Sequence, residues 1–124
     1  MNQHLLKTML ELSAKQAGYE VRYEPGYLTF FRADVNGCPI WNPLSDDGDS
    51  RRLQVDTGLT LARFDDAMVA MHQPSGRSWA ERHDAHPNSF AAARLAVLRA
   101  ASELDRNNLP ILKEAYLRGE GGAA

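Results

Sequence analysis

The run YLTFFRAD, Tyr27 to Asp34, restricts the possible architectures more than any other stretch of the chain. Read as a strand, it sends Leu28 and Phe30 to one side and Tyr27 and Phe31 to the other. A sheet with one wet face carries its large apolar groups on the dry side only. Large apolar groups on both sides predict a strand covered on both faces.

The flanking segments supply the cover. Asn2 is placed to cap a first helix in which Leu5, Leu6, Met9, Leu10 and Leu12 recur at helical spacing. Lys7, Glu11 and Lys15 share its other side as i,i+4 pairs, and Gly18 is its natural stop. YEVRY (Tyr19–Tyr23) alternates as a strand, and the Pro-Gly turn of EPGY joins it to Tyr27–Asp34 as a hairpin. Asn36-Gly37 marks a further turn before the short extended piece CPIW. LTLARF (Leu59–Phe64) and AMVAMH (Ala67–His72) read as two more strands, and Gln73–Asn88 as a long polar connection. FAAARLAVLRAASEL, Phe90–Leu104, is the clearest helix, with Phe90, Ala93, Val97, Ala101 and Leu104 in one stripe widened by Leu98 and Ala100, and with Arg94 at its edge extending its head to water.

These elements predict one α+β domain over residues 1–108: a three-layer α/β/α sandwich of about four mostly antiparallel strands, with helices on both faces. Residues 109–124 read as a short helix with Pro110 in its first turn, then a flexible tail, GEGGAA.

Bulk properties narrow the function classes. With 124 residues, 44% hydrophobic and 24% charged, the chain can hold a core without disulfides or metal. Its one cysteine, Cys38, excludes an internal disulfide and suits a reducing compartment. A net charge of -2 supplies no broad positive field for nucleic acid. No apolar run reaches the ~20 residues of a membrane span, and the amino-terminal segment is too charged for a signal peptide. The expectation is a protein of the cytoplasm.

The segment WNPLSDDGDSRRL, Trp41 to Leu53, poses the sharpest chemical question. A calcium loop needs alternating oxygen ligands, a glycine at the sixth place and a glutamate at the twelfth. Here Asp46, Asp47 and Asp49 bracket Gly48, and the twelfth place counted from Asp46 is Thr57. The residues fit a helix entrance instead: Pro43 blocks helix before it, an aspartate caps it, and the other carboxylates favour its positive end. Trp41, Asn42, Pro43, Asp46, Asp47 and Asp49 are therefore given structural roles, with Trp41 stapling the incoming chain onto the second helix.

The longer stretch WNPLSDDGDSRRLQVDTGLTL, Trp41–Leu61, resembles the central segment of small bacteriophage and prophage proteins, the phage ABA sandwich domain family. There a Trp-Asn-Pro segment precedes an Asp-Asp-Gly-Asp helix start, and an alanine- and arginine-rich helix, like Ala91–Ala101 here, follows. The likeness in layout runs to about Leu104, while its specific residues are confined to about twenty positions of this segment. Ser50 departs from it, and the region around Trp79 and the tail after Leu109 lie outside it. The resemblance implies helix–sheet–helix layering and a phage-encoded accessory protein of unknown activity, with no catalytic residues to carry over.

No nucleophile motif and no phosphate-binding loop is present. The favoured expectation is a non-enzymatic phage or prophage accessory protein without a cofactor, acting in the bacterial host by binding a protein partner or itself as a homodimer. Its expected contact surface joins Arg77, Trp79 and Arg82 of the long connection to Leu109, Ile111, Leu112 and Tyr116 of the last helix. Two alternatives stand beside it. A metal-dependent hydrolase would gather His72, His83 and His86 in one pocket, although solvated loop histidines are the plainer reading. A single-stranded nucleic-acid binder would use Tyr23, Tyr27 and Phe31 to stack bases, although their spacing also fits packing under helices.

Overall fold

The computed structural model describes residues 2–121. Helix α1 (Gln3–Ala17) begins where the Asn2 side chain accepts the Leu5 N–H at 2.7 Å. It stops at Gly18, whose φ of 81° lets Gly18 and Tyr19 donate back to Lys15 and Ala14. Strands β1 (Val21–Glu24), β2 (Thr29–Arg32) and β3 (Ile40–Trp41) then form one antiparallel sheet in that order. Helix α2 (Asp47–Asp56) follows, and strands β4 (Thr60–Arg63), β5 (Ala67–His72) and β6 (Arg77–Arg82) form a second antiparallel sheet. Helix α3 (Ser89–Glu103) and helix α4 (Leu109–Gly121) complete the chain.

The fold is thus α+β, with two three-stranded antiparallel sheets and four helices among the described residues. The strand count is six where the sequence suggested about four. One added strand is the two-residue β3. The other, β6, lies inside what reads in sequence as the connection Gln73–Asn88. Gly76, at φ 72°, donates to the His72 carbonyl at 2.9 Å and closes a tight turn, so the chain returns at once along β5.

Pairing register sorts each sheet into two faces. In the first sheet Tyr23, Phe30 and Trp41 lie side by side and face the core. Arg22, Phe31 and Ile40 stand beside one another on the opposite face, where Ile40 is 61% exposed. Cover on both faces, expected for this hairpin, is not what the structure has. Tyr27 and Leu28 lie in the turn before β2 and are 78% and 79% exposed. In the second sheet Leu61, Ala70 and Trp79 are neighbours in one row, and Trp79 is only 5% exposed.

One apolar cluster links both sheets to the helices, running from Met9 and Leu10 of α1 through Phe30, Trp41, Leu53, Ala70 and Trp79 to Val97 and Leu98 of α3. Ala92, Ala96 and Ala100 are fully buried at four-residue intervals, while Phe90 is exposed. Val97, Leu98 and Ala101 are buried with them, so the expected stripe faces inward except at its Phe90 end, and the small alanines allow close approach. Helix α4 is longer than the short terminal helix expected, reaching Gly121, and it docks Leu112 and Ala115 into the core region. The remainder of the expected flexible tail, residues 122–124, lies outside the described residues.

Candidate functional site

In the acidic segment every aspartate is engaged with this chain's own groups. Asp46 accepts the Asp49 N–H at 2.8 Å as the cap of α2. Asp49 accepts the Asn42 N–H at 3.0 Å and pairs with Arg52 at 2.8 Å. Asp47 meets Arg94 at 2.7 Å, and the same guanidinium donates to the Leu44 carbonyl at 2.6 Å. Arg94 thereby ties α3 to the entrance of α2, where sequence spacing alone suggests a side chain reaching for water. Trp41 and Pro43 are buried beside this entrance, and the Trp41 indole N–H has no partner.

The histidines do not assemble a three-imidazole centre. His72 pairs with Arg77 at one end of the β5–β6 ladder, whereas His83 follows Arg82, which pairs with Ala67 at the other end. Five steps of strand separate those ends by about 17 Å, against metal–imidazole bonds of ~2 Å. Each ring has its own protein partner. His72 Nδ1 lies 2.7 Å from Ser75 Oγ, and His83 Nε2 donates to the Phe64 carbonyl at 2.9 Å. His86 Nε2 donates to Glu81 at 2.8 Å. Among the described residues no three His, Cys, Asp or Glu side chains are placed to share an ion.

Glu81 is the most enclosed charged group near this end. It projects from the helix-facing side of β6, meets Arg99 of α3 as well as His86, and is only 13% exposed. Two donors face this enclosed carboxylate, as burial of a polar group requires. The cluster ties β6 to α3 and holds no unpaired group pointing into a cavity.

The expected contact residues have diverse fates. Trp79 is a core side chain with no free face, because alternation along β6 directs it inward beside Ala70. Arg77 lies over its ring at 4.8 Å and donates to the Leu104 carbonyl at 3.2 Å, capping α3. Arg82 is exposed and paired with Asp84 at 2.9 Å, which holds that carboxyl below its ordinary range. On α4, Leu112 is buried against the body, while Leu109, Ile111 and Tyr116 keep exposed surface, joined by Leu117.

A second surface with exposed apolar groups is the outer face of the first sheet. Phe31 lies between Arg22 and Ile40 across the strands, and the Tyr27 ring meets Phe31 edge-on at 6.2 Å. Arg22 and Glu24 on the same face are paired at 2.7 Å. With Thr29 and Cys38 these residues line an open depression of about 730 Å3. Its sequence signal was the pair Tyr27 and Phe31 opposite Leu28 and Phe30, which reads equally as a covered face.

Two acidic groups beside this sheet are displaced from their usual ranges. The Tyr19 phenol donates to Asp56, and burial first, then that carboxylate, pushes its pKa up to about 12. Arg32 stacks on the Tyr19 ring at 3.7 Å and grips Asp34 through two bonds, pulling that carboxyl down to about 2. Both are pinned by neighbours and sit in no cleft with a nucleophile. Among the described residues no helix is long and apolar enough to cross a membrane. Compared with known proteins, the chain matches no family model, no curated protein and no solved structure.

Proposed function

We propose that this chain is a phage- or prophage-encoded accessory protein of the bacterial host cytoplasm. It catalyses no reaction and acts by protein–protein binding, with a second copy of itself as first partner. The observation that carries the binding reading is the uncovered outer face of the first sheet, where Tyr27, Phe31 and Ile40 expose adjoining apolar surface. Contiguous apolar surface of this kind marks interaction sites. Arg22 and Glu24 give the face one charge of each sign, so a two-fold mate can set Arg22 against the other copy's Glu24. The phage assignment draws on the resemblance of Trp41–Leu61 alone. In this reading the helix–sheet–helix layering of that family is completed on the open face by the docked partner.

Light scattering across a concentration series tests the reading. The expected mass is twice the 13.8 kDa of one chain, returning in Ile40→Asp to a single chain that still melts cooperatively, at a temperature no longer dependent on concentration. A monomer at every concentration, or a dimer indifferent to Ile40→Asp, removes it. One observation favours a second reading: Tyr27 and Phe31 are not packed under helices, so base stacking on this face is sterically open. The net charge of -2 and the Glu24 partner of Arg22 weigh against it. Salt-dependent oligonucleotide binding by a monomer, lost in Tyr27→Ala, would transfer the face to that function.

A further inference from the structure

A separate groove lies on the other side of the same hairpin, between α1 and the inner face of the first sheet. Its volume is about 460 Å3, within the ~300–1,000 Å3 span of small-molecule sites. Helical spacing places Leu6, Lys7 and Leu10 along one wall, and strand pairing places Tyr23, Phe30 and Trp41 on the other. Phe30 and Trp41 are buried floor residues.

The lining of this groove contains Lys7 and His4 and no aspartate or glutamate. The Lys7 ammonium lies 4.4 Å from the centre of the Tyr23 ring, and its nearest carboxylate, Glu11, is 3.9 Å away and outside the lining. A cation held on an aromatic wall beside an apolar floor complements a molecule with an apolar body and one negative end.

The lip adds an independent observation. Leu28 has φ 51°, a conformation uncommon for a bulky residue, and it is among the most exposed apolar side chains described. Glycine or asparagine would relieve the backbone there, and a polar side chain would suit the water around it. Leucine at this position serves neither local need; it does give the groove an apolar lip. Strain of this sort collects at ligand-binding positions.

From these observations we infer that the groove between α1 and the first sheet binds a small amphiphilic carboxylate, its hydrocarbon body between Leu6, Tyr23 and Leu28 above the Phe30–Trp41 floor and its carboxylate at Lys7. The site shares Thr29 alone with the lining of the outer depression, and it does not depend on dimerisation.

Decanoate is the probe, with decanol and acetate as matched controls for its two halves, followed by calorimetry and by amide and indole resonances of the full chain. Saturable binding is expected to move the Trp41 indole and Phe30 amide signals. Decanoate should bind more tightly than either control. Lys7→Gln should weaken decanoate roughly fivefold, the scale of one exposed ion pair, and leave decanol unchanged. Leu28→Asn should weaken both while raising the melting temperature, which separates a ligand role from a folding role. No saturable shift at Trp41 below the micelle concentration overturns the proposal. So does decanol binding as tightly as decanoate, or a Leu28→Asn variant that binds decanoate unchanged.

Discussion

The phenol of Tyr19 donates to the carboxylate of Asp56, joining the chain just past α1 to the last turn of α2 across 37 positions of sequence. Gly18 ends α1 in a left-handed turn that releases Tyr19 toward α2, and the ring then meets Trp41 edge-on at 6.0 Å. Because burial and Asp56 raise the phenol to about 12, the folded state holds its proton more tightly than the unfolded chain, where tyrosine titrates near pH ~10. The stabilisation is complete below about pH 10 and is lost as pH climbs toward about 12. Its size is on the order of 1 kcal/mol once partial solvent exposure is allowed for. Urea unfolding of Tyr19→Phe should show that deficit at neutral pH and a flatter alkaline limb. A tyrosinate absorbance step near pH 12 should vanish in the same variant.

The acid limb has a different owner. Arg32 offers Asp34 a two-pronged contact at 2.7 and 2.9 Å, and the carboxyl is held near about 2. A depressed carboxyl stabilises the fold above its unfolded pKa of ~4, and that contribution disappears as pH falls from about 4 to about 2. With the Asp34 side chain 26% exposed and its backbone open to water, about 1 kcal/mol is the expected scale. Asp34→Asn should therefore lower the urea midpoint at pH 7 and leave it nearly unaltered at pH 2. An equal deficit at both values would show that packing, not ionisation, is what Asp34 supplies.

The cap of α2 separates a helix entrance from an ion site. Asp46 accepts the Asp49 N–H, so Asp46→Ala should reduce stability by about 1 kcal/mol while Asp46→Ser retains most of it. A serine keeps the acceptor and discards the charge, which a calcium ligand could not tolerate. Thermal melts of the parent with and without calcium should coincide. A calcium-dependent rise abolished by Asp46→Ser would reassign the segment.

Elements set by neighbouring residues were legible in the sequence; those set from afar were not. Asn2, Gly18 and the aspartates at 46 and 47 act within a turn of themselves, so these residue types announce helix ends directly, although which aspartate caps α2 only the fold decides. Strand β6 has no such signal. Its inward row carries Trp79 and then Glu81, and a charged residue beside a core tryptophan reads as loop. Glu81 is tolerated there because Arg99 and His86 meet it, and Arg99 lies 18 positions away. Tyr27 and Phe31 show a different limit. Alternation reveals that both sides of a strand are apolar, yet it cannot tell a face covered by a helix from one left bare. The groove beneath α1 was hidden for a third reason: its walls come from elements whose spacing only the folded chain fixes.

Gly119 provides a test in which the usual sign of a helical substitution is reversed. Replacing an exposed helical glycine by alanine ordinarily adds up to ~1 kcal/mol of stability. In α4, however, a methyl group on Gly119 would run into the side-chain amide of Asn2. That amide has two duties, accepting the Leu5 N–H at 2.7 Å to cap α1 and donating to the Tyr116 carbonyl at 3.2 Å to hold α4. Displacing it breaks both, so Gly119→Ala should lower stability by about 1 kcal/mol, the scale of a lost helix cap. Asn2→Ala removes the obstacle along with the cap. In that background Gly119→Ala should become neutral or stabilising, and a double-mutant cycle would report the coupling as the difference. Additive effects would mean that α4 and the start of α1 do not approach as closely in solution as this packing requires.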